Sequence, residues 1–299
     1  MCQHAERRGE GATMYVPYCL SMSADRESAR VWLITGCSAG FGRALADAAL
    51  ARGDRVVATA RRVESIAELA GDQTLVAALD VTREEQIDTA VRASLDRFGR
   101  IDVLVNNAGF SSVGAVEEVD MEDLRLLMET SFFGAVALTK AVLPHMRERG
   151  SGTIVQMSSQ AGQMSFAGGG AYAAAKFALE GISEALADEV APHGIRTLIV
   201  EPGAFRTQLM GGRFHRSREL DAYAATVGQA RAWLERADGT QPGDPRKAVA
   251  AILAALDASD APLRLVLGAD AVDAIRAKHE RSLAELDAWD AVSRNTAFD

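Results

Sequence analysis

From Arg30 onward the chain alternates short runs of β-branched and aliphatic residues, at 31–35, 55–59, 75–79, 103–105, 153–157, 196–200 and 263–267, with longer stretches of helical periodicity. Such alternation is the sign of βαβ units. Strands covered by helices on both faces must be apolar at consecutive positions, and several of these runs are. The pattern predicts an α/β fold, a doubly wound parallel sheet of about seven strands with helices on both faces.

The intervening stretches sharpen this reading. Residues 41–52 have helical periodicity and are followed by Gly53, where a left-handed residue ends a helix. The stretches 121–149 and 171–190 carry more apolar surface than one face needs, and Pro144 is expected to bend or break the first. Residues 208–244 contain Gly211-Gly212, mixed charge and isolated large apolar side chains, and read as an insertion packed over the sheet edge. Residues 30–299 are therefore expected to form a single catalytic domain. Residues 1–29 read as a disordered extension, with Met22 as the natural start.

Composition excludes other classes. Hydrophobic residues make up 48% and charged residues 24%, ordinary for a globular chain. The net charge of −9 argues against a broad nucleic-acid or anionic-lipid footprint. Cys2, Cys19 and Cys37 are widely spaced and no metal-ligand pattern accompanies them, so neither disulfides nor a bound metal are expected. No run of about 18 apolar residues is evident, and the apolar patch at 14–20, interrupted by Pro17, lacks the form of a secretory signal. Cytoplasmic residence without membrane association is the expectation.

The first strand runs into Thr35-Gly36-Cys37-Ser38-Ala39-Gly40-Phe41-Gly42 and then a helix. Glycines there let the backbone turn sharply and approach a pyrophosphate, whose charge meets the free N–H groups of a helix N-terminus. The spacing G-x-x-x-G-x-G differs from G-x-G-x-x-G and from the Gly-Lys ending of a triphosphatase loop. It points to a particular variety of dinucleotide binder. At the end of the second strand, Ala60 and Arg61 stand where a carboxylate would accept a ribose 2′-OH, and a guanidinium there favours a 2′-phosphate, hence NADP over NAD.

Tyr172 and Lys176 lie at i and i+4 on one helix face. An ammonium beside a phenol favours the phenolate, the requirement for a general acid/base near neutral pH. The segment Gln156-Met157-Ser158-Ser159 closes the fifth strand, at the carboxyl edge where open α/β sheets bind ligands.

Together these residues resemble the short-chain dehydrogenase/reductase family, in its form of about 250 residues. The motifs, in family order, are Thr35 to Gly42, Asp80-Val81, Asn106-Asn107-Ala108-Gly109, Ser159, Tyr172-x-x-x-Lys176 and Pro202-Gly203-Ala-Phe-Arg-Thr207. The resemblance is strong over residues 31–207 and weaker beyond. It implies a Rossmann-type fold and a catalytic set of Ser159, Tyr172 and Lys176. Tyr172 would exchange a proton with the substrate oxygen, Ser159 would stabilise charge on that oxygen, and Lys176 would lower the tyrosine pKa and hold the nicotinamide ribose. Gly36, Ser38, Gly40, Phe41, Gly42, Arg61, Asp80, Val81, Asn107, Ala108, Gly109, Tyr172, Lys176, Pro202, Gly203 and Thr207 would bind NADP(H), while Asn106 would support the fold. A homodimer or homotetramer paired through the two long helices is also implied.

One position departs from the family. Three residues before Gly134, where an asparagine usually helps hold a water leading to the lysine, stands Ser131. That puts the proton relay in doubt. His145, His193, His215 and His279 are expected at the surface or in packing, Cys37 as a small filler of the loop, and Trp32 in the core.

The substrate walls are expected in 110–113, 160–170 and 208–233, with Phe110, Met164, Phe166, Leu209, Met210, Phe214 and Tyr223 suiting an apolar or bulky ketone or secondary alcohol. Gly168-Gly169-Gly170 is expected to let one wall move. The leading expectation is an NADP-dependent carbonyl reductase or alcohol dehydrogenase acting on a small molecule. Against it stand a weakly active cofactor-sensing protein on the same fold, and an epimerase or dehydratase, for which about 90 residues after Thr207 leave too little for a substrate domain.

Overall fold

The computed structural model describes residues 29–208 and 214–298. Of the extension expected at 1–29, residues 1–28 lie outside the described residues, as do Leu209, Met210 and the glycine pair after them, and the side chain of Phe214.

All seven expected strands form and join one parallel sheet. In chain order the elements are β1 (Val31–Ile34), α1 (Gly40–Ala51), β2 (Arg55–Ala60), β3 (Thr74–Ala78), α2 (Glu84–Phe98), β4 (Val103–Asn106), β5 (Ser111–Val113) and α3 (Met121–Met128). There follow α4 (Gly134–Arg149), β6 (Gly152–Met157), α5 (Gly170–Val190), β7 (Ile195–Pro202), β8 (Phe214–Arg216), α6 (Val227–Ala237), α7 (Pro245–Asp257), β9 (Arg264–Leu267) and α8 (Ala269–Arg294). The sheet order is β3-β2-β1-β4-β6-β7-β9. Its direction reverses between β1 and β4, which opens a crevice at the carboxyl ends of the strands.

Period-two alternation divides the core between the two faces of this sheet. Trp32 and Ile34 of β1 pack with Leu45, Ala46 and Ala49 of α1 and Val249 and Ile252 of α7. Leu33, between them, packs on the other face with Ile87 and Val91 of α2 and Leu138, Val142 and Met146 of α4. The one polar group of Trp32 is satisfied, its Nε1 donating to Asp54 Oδ2 at 2.9 Å. Gly53 takes φ +85° after α1, as its position requires.

The first long helix differs from expectation. α4 continues through Pro144, whose missing N–H falls opposite Lys140, an exposed residue whose carbonyl can turn to water. The irregularity lies earlier, in a π-helical turn over Glu129–Phe133 that joins α3 to α4. The stretch Met121–Arg149 also reaches a mean hydropathy of 1.5 over 18 residues, long and apolar enough to span a membrane by composition alone. Leu127, Leu138, Val142 and Met146 are buried in the protein, although only 39% of that window is.

Three features were not anticipated. β5 and β8 pair in parallel as a separate two-stranded sheet, Ser112 opposite His215. Together with α6 they form a flap with its own small core of Val113, Ala115, Val227 and Leu234, against which Tyr223 packs. Arg231 of α6 reaches the fully buried Glu118 at 2.7 Å, and Glu118 also accepts the N–H groups of Ala115 and Leu220. Third, α8 runs 26 residues with only Ala271 and Ile275 buried.

Candidate active site

Along the carboxyl ends of the strands runs a cavity of about 860 Å³. One end is built from the turn after β1. Gly36 (φ +74°) and Gly40 (φ +61°) need backbone conformations that side chains rarely adopt. α1 then begins without a side-chain cap and without an acidic residue in its first turn, leaving its N–H groups directed into the cavity with their partial positive charge unopposed. A phosphate group suits that cradle. Thr35 ties it to β4: its Oγ1 accepts the N–H groups of Asn107 and Ala108 at 2.9 and 2.8 Å, while Asn107 Nδ2 donates to Thr35 O at 2.7 Å.

Gly42 stands apart from the other glycines of the motif. It is absent from the cavity wall, and a Cβ on it would fall 2.4 Å from Asn107 Nδ2 and 2.6 Å from Gly36 O. Its role is to let α1 approach the turn. Every other residue expected to contact the cofactor lines the cavity, from Ser38, Phe41 and Arg61 through Asp80, Val81 and Gly109 to Pro202, Gly203 and Thr207. Arg61 and Arg62 are exposed at the end of β2, and neither enters an ion pair among the described residues. The size of the cavity, the bare helix end and the two free guanidinium groups fit a nicotinamide dinucleotide.

Cys37, inside the turn, is a filler: fully buried, its Sγ donates to Ile34 O, and burial pushes the thiol up to about 12. Asn106 spans β4, α4 and β6 by donating to Ala135 O, Thr139 Oγ1 and Gln156 Oε1.

Ser159, Tyr172 and Lys176 converge at the other end. Ser159 leaves β6 in extended conformation (φ −169°) and its Oγ caps the following short helix by accepting Ala161 N–H at 3.1 Å. The same hydroxyl donates to Pro202 O at 3.4 Å and is near enough to the Tyr172 phenol to pull its pKa down. Lys176, 5% exposed, donates from Nζ to Met157 O at 2.7 Å and stands 5.7 Å from the centre of the Tyr172 ring.

Electrostatics here differ from the expectation of an acidified phenol. Burial pushes Tyr172 up to about 12, opposed by the Ser159 hydroxyl. Burial likewise pushes Lys176 down to about 8, with Glu180 one helical turn on acting in the other direction. The ammonium is turned toward a backbone carbonyl, and in the chain alone desolvation outweighs its attraction for a phenolate.

Ser131 lies in the π turn, 2% exposed, with its Oγ unpartnered. A Cβ on Gly109 would fall 3.3 Å from that oxygen and 4.0 Å from Lys176 Nζ, so the three groups adjoin one another.

The substrate end is lined differently from expectation. Phe110 is in the wall, but Met164, Phe166 and Tyr223 are not. Phe166 instead packs over Gly169, and Tyr223 donates its hydroxyl to Glu117 at 2.6 Å. Gly168 packs closely against Val113 and Val227, and its carbonyl accepts Gly114 N–H at 3.0 Å. Leu126, Thr130, Gln208 and Phe205, which meets Phe41 edge-on, also line the cavity with His215, whose Nε2 lies 2.7 Å from Asp123 Oδ2. His215 was expected in surface packing; its placement depends on the pairing of β8 with β5, which carries no local signal.

The short chain dehydrogenase family model matches residues 30–218. "Oxidoreductase BOA17" of Botryotinia fuckeliana is 40% identical over 248 residues, 82% of this chain and 90% of that protein. A short-chain dehydrogenase structure from Streptomyces avermitilis is 54% identical with a TM-score of 0.86, over 91% of this chain and 100% of that one. A Burkholderia cenocepacia short chain dehydrogenase in complex with NADP is 26% identical with a TM-score of 0.69, over 87% of this chain and 96% of that one. The chain belongs to the short-chain dehydrogenase/reductase family of oxidoreductases.

Proposed function

We propose that the protein interconverts a ketone and a secondary alcohol using NADP(H), on an apolar or bulky small molecule. The observation that carries this reading is the convergence of Ser159, Tyr172 and Lys176 on the cavity that also holds the Gly36 to Phe41 cradle, with Lys176 Nζ 5.7 Å from the centre of the Tyr172 ring. The cofactor, when bound, supplies or accepts a hydride.

The protein's own residues do the rest. Tyr172 donates a proton from Oη to the carbonyl oxygen in reduction and accepts it in oxidation, while Ser159 donates a hydrogen bond to that oxygen and stabilises its developing charge. Lys176 holds the ribose end of the cofactor and favours the phenolate as the proton leaves. Phe110, next to Gly109 in the cavity wall, gives the reacting carbon an apolar neighbour. Arg61, free of a carboxylate partner, binds the 2′-phosphate and gives the preference for NADP over NAD. Exposed Phe133, Phe177 and Ile182 on the long helices support assembly into a homodimer or homotetramer.

The test is consumption of NADPH and NADH against a panel of aryl, fatty and steroid-like ketones. Turnover with NADPH preferred is the expected result. The unpartnered Ser131 favours a second reading, a cofactor-binding protein of weak turnover. NADPH binding without turnover on every ketone and alcohol would select it.

A further inference from the structure

Two buried carboxyl groups stand directly behind the catalytic set without lining the cavity. Glu180 lies one turn beyond Lys176 on α5 and is 4% exposed; Glu201 immediately precedes Pro202 on β7 and is 1% exposed. The Nε of Arg264 lies 3.0 Å from Glu180 Oε2 and 3.1 Å from Glu201 Oε1. Gln163 Nε2 donates to the same two oxygens at 3.3 and 3.1 Å. Both donors thus converge on one oxygen of each carboxyl, which brings the two carboxyls together around a shared pair of donors. The outer oxygens, Glu180 Oε1 and Glu201 Oε2, have no partner, nor has the neighbouring Ser158 Oγ.

With both groups ionised, two carboxylates would share one cation in direct contact: among the described residues that is Arg264, and its Nη2 is also engaged by Glu184 at 2.8 Å. The other charged groups around the pair are Lys176 on α5 and Asp270 at the start of α8, which holds Ala204 N–H at 2.7 Å. Adjacent like charges in a buried site cannot both ionise without large cost, so one proton stays. Burial and the Glu180 charge push Glu201 up to about 7.

We propose that Glu180 and Glu201 hold one proton between them, and that its presence or loss sets the charge state of Lys176 one helical turn away. Both are positioning residues; neither touches substrate. The inference rests on the reading of Lys176 as catalytic. With the proton held, the pair carries a single negative charge facing Arg264. Loss of that proton adds a second negative charge that favours the Lys176 ammonium. The pair thereby extends the range over which Lys176 stays charged toward higher pH. Gln163 ties the same device to the turn after Ser159, and Glu201 ties it to the Pro202-Gly203 wall.

The experiment compares wild type, Glu201→Gln and Glu180→Gln in two ways. Infrared difference spectra between acid and alkaline pH should show a protonated carboxyl in the wild type that titrates near neutrality and is missing from both variants. In the pH profile of NADPH-dependent ketone reduction, Glu201→Gln should move the alkaline limb down by about 1 pH unit, and Glu201→Asp should restore it. A purely structural role would lower the melting temperature and leave that limb in place. The proposal is overturned by an unmoved limb in a folded variant, or by the same carboxyl signal in all three proteins. Because the infrared signal needs no turnover, its loss is distinct from failure of the catalytic reading, which Tyr172→Phe reports separately.

Discussion

Arg231→Met gives the most quantitative test of how the flap over the cavity is held. The guanidinium donates to Glu118 Oε2 at 2.7 Å and to Arg218 O at 3.3 Å, and its side chain and that of Glu118 are 7% and 0% exposed. Methionine would fill much of the space but leave a buried carboxylate with only the Ala115 and Leu220 N–H groups. Breaking a buried pair by removing one partner costs about 3–5 kcal/mol. What remains to hold α6 is chiefly the burial of Val227 and Leu234, worth about 1.5–3 kcal/mol each. Ordering the flap backbone costs roughly 1–2 kcal/mol per residue, which opposes that gain, so the flap should open locally while the sheet stays folded. At about 1.4 kcal/mol per tenfold, amide exchange in α6 should accelerate by about 100-fold or more, with β1, β4 and β6 unchanged. Hydrogen exchange resolved by peptide is the assay, and KM for the ketone should rise while cofactor affinity holds. Unchanged exchange in α6, or uniform acceleration through the whole sheet, would refute the reasoning.

Three further outcomes follow from the same contacts. Burial raises the Glu118 pKa, but the Ala115 and Leu220 N–H groups and Arg231 together carry it below the ordinary 4.5; its stabilisation is present above that value and is lost as pH falls through the lower, folded one. Flap amides should therefore lose protection in mild acid before the sheet unfolds, and Glu118→Gln should remove that pH dependence. Gly42→Ala should cost about 1–3 kcal/mol by overpacking against Gly36 O and Asn107, seen as a lower melting temperature with weakened binding of both NADPH and NADH. Arg61→Ala should weaken NADPH selectively, as measured by titration calorimetry, and equal loss for both cofactors would remove the arginine from 2′-phosphate recognition.

Much of this architecture could be read before any coordinates, because its signals are local. Consecutive apolar residues mark buried parallel strands, and a glycine-rich turn between strand and helix needs only its own neighbours to be recognised. The Ser159, Tyr172 and Lys176 set was legible because the family resemblance fixes residues far apart in sequence onto one sheet edge. Gly42 shows what the motif alone does not say, that this glycine is needed for close packing of α1 against Gly36 and Asn107. The flap was harder: Ser111–Val113 and Phe214–Arg216 are three residues each and pair across about a hundred positions, too short for periodicity to declare them. His215, Leu126 and Thr130 therefore entered the cavity wall unannounced. Spacing brings Lys176 near the Tyr172 ring, but it does not reveal that Nζ turns to Met157 O or that burial pushes the phenol up.

The central claim is that the Tyr172 hydroxyl transfers the proton that accompanies hydride transfer. Single-turnover oxidation of bound NADPH by a ketone accepted by the wild type, compared with Tyr172→Phe at matched cofactor occupancy, tests it directly. The rate should fall by about 100-fold or more, with NADPH affinity within a factor of about two. A variant that oxidises NADPH at a rate close to wild type would contradict the account.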